Sequence, residues 1–119
     1  MRENIIKTKS FAFAIQIVNL NKQLCVEQKE FVLSKQVLRS GTSVGSMVRE
    51  AEHAESKVDF IHKNAIAQKE ANETIYWLEL LVATEYISKE LFEELNFKAV
   101  ELIKMLTSII KTAKGLNKT

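Results

Sequence analysis

The chain has 119 residues, no proline and only three glycines. Proline ends a helix interior at a cost of about 3 kcal/mol, and glycine weakens one by roughly 1 kcal/mol. A sequence with so few breaks, and rich in Leu, Ile, Ala, Lys and Glu, is biased towards long helices and against a sheet. Its length suits one domain, over 1–119, large enough to bury a core without disulfides or a structural metal. Cys25 is the single cysteine, so no internal bridge forms, and no Cys or His lies near it at a ligand spacing. A reducing, cytoplasmic setting fits this usage. Arg2, Lys7 and Lys9 flank "FAFAIQIV", but Gln16, Asn19 and Asn21 interrupt that run and no small-residue cleavage site follows it. No stretch has the length and apolarity of a membrane span.

Apolar periodicity divides the chain into four helices. The first covers residues 4–24, with Ile5, Phe11 or Ala12, Ile15, Val18 and Leu24 as its apolar positions. After the polar "CVEQKEFVL", the second runs from Phe31 to about Ala54. Ser56 with Asp59 three residues on resembles a capping box and starts a third helix reaching about Tyr86. Ser88 caps the fourth, whose stripe of Phe92, Leu95, Ala99, Leu102, Leu106, Ile109 and Ala113 stops at Gly115. Four similar helices with short connections predict an all-α fold, an antiparallel up-and-down four-helix bundle.

Gly41 and Gly45 lie in "RSGTSVGSMVRE". They are too close together for a Walker phosphate loop, no Gly-Lys-Ser/Thr follows, and no strand precedes them. At about 100° per residue, Val37, Gly41, Val44, Val48 and Ala51 share one face, so the glycines admit a neighbouring helix. The opposite face collects Lys35, Arg39, Thr42, Ser46, Arg49 and His53 within an arc of about 80° and holds no carboxylate. Basic groups interleaved with hydroxyls suit a phosphate backbone, which makes Lys35, Arg39, Thr42, Ser46 and Arg49 candidate nucleic-acid contacts. Net charge is +4 over residues 1–48, −6 over 49–101 and +4 over 102–119. The two basic ends meet in an antiparallel bundle. They bring Arg2, Lys7 and Lys9 towards Lys111, Lys114 and Lys118, where Glu50, Glu52 and Glu55 offset them.

The third helix places Phe60, Ile61, Ala67, Ala71, Ile75, Leu78 and Val82 in a core arc together with the amides Asn64 and Gln68, which need partners when buried. Ile66, Trp77 and Leu80 point away from that arc and are candidate anchors for self-association. Two carboxylate-x-x-His pairs, Glu50 with His53 and Asp59 with His62, have the spacing used by di-iron bundles. They sit beside the turn between helices two and three, and the first helix offers only Glu3, so no metal site is expected. No nucleophile, base and orienting group occur at a recognisable spacing, so neither catalysis nor a cofactor is expected.

Residues 38–81, above all "RSGTSVG", "DFIHK" and "KEANETIYWLELL", closely resemble the bacterial four-helix-bundle proteins encoded by intervening sequences in large-subunit ribosomal RNA genes. Arg39, Ser43, Gly45 and Glu50 match the second-helix motif of that family. Phe60, Ile61, Glu70, Glu73, Trp77 and Leu78 match the third. Met47-Val48-Arg49-Glu50 stands where many members read Asn-Ile-Ala-Glu. The resemblance extends to accessory proteins of diversity-generating retroelements. It thereby implies a homo-oligomer, a pentameric ring, that binds RNA or DNA and works with a reverse transcriptase. Those accessory proteins are strongly basic, whereas this chain carries a net +2. The alternative is a scaffold with protein partners only.

Overall fold

Three of the four helices start where a side chain satisfies the backbone donors that a helix N-terminus leaves open. The computed structural model describes the backbone of residues 2–115 and the side chains of residues 5–115. Helix α1 spans Arg2–Glu27, α2 Leu33–Ala51, α3 Lys57–Ala83 and α4 Lys89–Ala113. Ser56 Oγ accepts the Asp59 amide at 3.0 Å, and Asp59 accepts the Glu55 amide at 3.2 Å. Ser88 Oγ accepts the Leu91 amide at 3.0 Å. Gly115, at φ 74°, ends α4 in the left-handed region that glycine enters without steric cost.

Helix α2 starts two residues later than the periodicity implies, and Glu30 is the reason. Its Oε2 accepts the Val32 and Leu33 amides at 3.1 and 2.9 Å, and its Oε1 accepts the Ser34 amide at 2.7 Å. Phe31 and Val32 are left exposed outside the helix. Burial works to raise the Glu30 carboxyl, but the three amides and Ser34 outweigh it and hold the group below its ordinary value.

The helices pack in sequence around the bundle, α1 on α2, α2 on α3 and α3 on α4, and α1 closes the ring sparsely against α4. The body measures 47 × 27 × 20 Å. On α2, Val37, Gly41, Val44, Val48 and Ala51 are buried, as their shared face predicts. A Cβ on Gly41 would lie 2.8 Å from both γ-carbons of Ile17, and one on Gly45 would lie 3.4 Å from the Ser10 carbonyl oxygen. The two glycines therefore set the close approach of α1 to α2.

Two predicted stripes need correction. On α1 the core is Ile6, Phe13, Ile17, Leu20 and Leu24, whereas Ile5, Phe11, Ala12 and Ile15 are exposed. This helix carries apolar residues on two faces, and the one abutting the α2 glycines is buried. On α3 the buried line is Asn64, Ala67, Ala71, Thr74, Leu78 and Leu81, turned towards α2 from the expected arc. Phe60, Ile61, Ile75 and Val82 are half-buried beside it. Thr74 lies on that line: it shares a hydroxyl pair with Ser40 of α2 at 2.9 Å and lies 2.8 Å from the Glu70 carbonyl oxygen. The amides also find partners, Asn64 on the Phe60 carbonyl at 2.9 Å and Gln68 on Thr107 of α4 at 2.6 Å. On α4 the fully buried residues are Leu95, Ala99, Leu102, Leu106 and Ile110, with Phe92, Ile109 and Ala113 half-buried at the edges.

Candidate interaction surfaces

Carboxylates from α3 reach into the basic stripe on α2. Arg39 Nη1 lies 3.3 Å from Glu70 Oε1, and its Nη2 pairs with Glu73. Glu73 Oε2 also accepts the Trp77 indole N–H at 3.0 Å. The stripe looked free of carboxylates because its neutralising groups lie more than thirty residues away in sequence, on the next helix. Thr42 Oγ1 donates to the Leu38 carbonyl at 2.7 Å and Ser43 Oγ to the Arg39 carbonyl at 2.6 Å. Such bonds turn the hydroxyls onto their own helix. Arg49 lies over the Phe11 ring, 5.0 Å from its centroid, a cation–π contact across the α1–α2 groove. Lys35, Ser46 and His53 are exposed. Of the five candidate contacts, then, Arg39 is tied to α3, Arg49 to α1 and Thr42 to its own turn.

The candidate anchors Ile66, Trp77 and Leu80 are each half-buried. Trp77 packs against the core cluster and meets Tyr76 edge-on, with ring centroids 5.1 Å apart. The Arg39–Glu73–Trp77 chain thus joins one candidate of each set into a single network between α2 and α3.

The more exposed apolar face is on α1. Ile5, Phe11 and Ile15 retain 48, 52 and 48% of their accessible surface, although each is large enough to fill a core. A signal for this face is present in the apolar pattern: apolar residues at both Phe11/Ile15 and Phe13/Ile17 exceed what one buried stripe requires. Val58, Tyr76 and Phe97 are exposed elsewhere.

Of the basic bundle end, Lys7 pairs with Glu52 at 3.3 Å and Lys9 with Glu101 at 3.0 Å. Lys118 and the Arg2 side chain lie outside the described residues. Lys63 bridges Glu50 and Asp59 at 3.4 and 3.9 Å, so both expected carboxylate-His pairs have a lysine on their carboxylates. Among the described residues, no three His, Cys, Asp or Glu side chains converge on a metal position. A cavity of about 580 Å³ at this end has apolar walls, and Glu52, Ser56, Asn64, Ser108 and Thr112 supply its polar atoms. No described helix is long and apolar enough to cross a membrane.

The residues that carry the resemblance, Arg39, Gly45, Glu50, Glu70, Glu73 and Trp77, thus occupy the seams that hold α2 to its neighbours. The profile of the 23S rRNA-intervening sequence protein family matches residues 2–108. The chain belongs to that family. The 23S rRNA-intervening sequence fold is also seen in a crystal structure from Bacteroides thetaiotaomicron, described as a protein of unknown function from the S23 ribosomal protein family. The two are 60% identical and superpose with a TM-score of 0.92, over 93% of this chain and 99% of the other. No curated protein matches this family member.

Proposed function

We propose that the protein is a non-catalytic bundle that assembles head to tail with copies of itself, the outer face of α1 in one copy meeting the Ile66, Trp77 and Leu80 face of α3 in the next. The exposed α1 face of Ile5, Phe11 and Ile15 carries this reading. Monomers seldom leave several large apolar side chains on one helix face, and such patches mark interaction surfaces. Helices α1 and α3 are diagonal and do not touch, so their outer faces look in opposite directions. Two unlike surfaces on opposite sides produce a heterologous contact, which closes into a ring when the rotation per copy allows. The resemblance to retroelement accessory proteins implies five copies.

Sedimentation analysis tests the proposal. The wild type is expected at a multiple of 13.6 kDa. Phe11→Glu with Ile15→Glu, and separately Leu80→Glu, should each give a monomer. Mixing the two variants should restore one intact junction and give a dimer. A monomeric wild type at tens of micromolar, or a mixture that stays monomeric, overturns it.

A further inference from the structure

We infer that the outer groove between α3 and α4 binds single-stranded RNA or DNA, with the backbone on Lys57, Lys104, Lys111 and Lys114 and bases on Tyr76 and Phe97. The inference does not depend on self-association.

Charge placement leads to the groove. The α2 arginines are engaged and Lys7 and Lys9 are paired, whereas none of these four lysines has a carboxylate within ion-pair distance among the described residues. Lys57 opens α3, Lys104 and Lys111 lie in α4 and Lys114 caps its end, and all four are exposed. The bond from Gln68 to Thr107 fixes the antiparallel register, which sets the start of α3 beside the end of α4. Lys104 and Lys111 are seven residues apart and so about 20° apart around the helix, on its α3 side. Residues 102–115 contain no acidic group. The acidic residues in the facing half of α3, Asp59, Glu70 and Glu73, are bound to Lys63 or Arg39 on the α2 side.

From Lys104 to Lys114 is about 15 Å along the helix axis, enough to follow a short run of phosphates of one strand. In the same register Tyr76 on α3 and Phe97 on α4 stand at the same level of the bundle, 54 and 69% exposed. Exposed aromatics next to a cationic track form a stacking platform for unpaired bases, whose rings are hidden in a duplex. Beyond that pair Glu79 and Glu93 turn the groove acidic, which ends the path of the strand. An anionic membrane surface is the competing occupant, and the vesicle measurement below separates it from a nucleic-acid strand.

The test is fluorescence anisotropy with a labelled 12-nucleotide oligouridylate, titrated from 50 to 300 mM salt. Lys104→Glu with Lys111→Glu should weaken binding at least tenfold and reduce the log–log salt slope by about 1.4, at about 0.7 per single-strand contact. Tyr76→Ala with Phe97→Ala should weaken binding about fivefold or more and leave the slope unchanged. Lys22→Glu with Lys35→Glu, the same charge change elsewhere, should have less than a twofold effect. Far-UV circular dichroism and sedimentation should show all three variants folded and assembled as the wild type is, so a failure of self-association is read separately. Three results would overturn the inference: no binding at 50 mM salt, equal loss in the Lys22/Lys35 variant, or lysine-dependent binding to phosphatidylserine vesicles without binding to the oligonucleotide.

Discussion

Helix α1 has one tight seam and one loose seam. Against α2 it packs Ile17 onto the bare backbone of Gly41 and Ser10 onto Gly45, with Arg49 closing over Phe11 outside. Against α4 it is held by polar contacts, Lys9 to Glu101 at 3.0 Å and Gln16 to Glu94 at 2.9 Å, and Gln16 Oε1 is buried there without a partner. The difference shows that α1 to α2 to α3 to α4 approach closely in chain order, whereas the α1 and α4 backbones close the ring at a wider spacing. Surface ion pairs of this kind contribute only about 0.2–1 kcal/mol each. Stability should therefore be concentrated in the seams either side of α2.

Mutations that break the contrast can be ordered by size. Gly41→Leu drives a side chain into fully buried Ile17, so a loss of about 3 kcal/mol or more, or failure to fold, is expected in urea denaturation. Thr74→Val leaves the buried Ser40 hydroxyl without its partner on the other side of α2, with an expected loss of about 1–2 kcal/mol. Adding Ser40→Ala should recover more than half of it, which a double-mutant cycle measures.

Glu30→Gln, at the connection that feeds α2, should cost about 1 kcal/mol at neutral pH. Its pH dependence has a defined sign. The folded group titrates below its ordinary value of 4.5, so its contribution is present above that value and fades as pH falls through the lower folded one. Wild type and variant should therefore converge in thermal melts in acid; a gap that stays constant down to pH 2 would mean that charge is not what caps the helix. At the loose seam, Gln16→Met should change stability by less than about 0.5 kcal/mol, or raise it slightly by removing the unpartnered oxygen. A loss above about 1 kcal/mol there would show that the two seams are alike after all.

How much of this was legible depends on how many apolar faces a helix carries. Helices α2 and α4 have one each. Val37, Gly41, Val44 and Val48, and Leu95, Ala99, Leu102 and Leu106, are buried as their spacing predicts. Helix α1 has two, offset by two residues at Phe11/Ile15 and Phe13/Ile17, and local periodicity has no means of choosing between them. The choice is made by the α2 glycines, a contact between residues far apart in the chain. Thr74 was missed on α3 because a threonine among Ile75 and Leu78 resembles an edge position until Ser40 stands opposite it. Ser56 and Ser88 were readable as caps, whereas Glu30 was not, since it caps α2 from three residues upstream of the first helical residue. The α2 stripe was located correctly as a row of side chains, but its charge balance belongs to α3 and exists only in the folded chain.

Trp77 is the one tryptophan in the chain, and its indole N–H ends on the carboxylate that also holds Arg39. That position makes the protein its own optical gauge. Tryptophan emission reports the α2–α3 seam, while far-ultraviolet dichroism reports all four helices, so an early mismatch between the signals on unfolding would time the release of this seam against the melting of the rest.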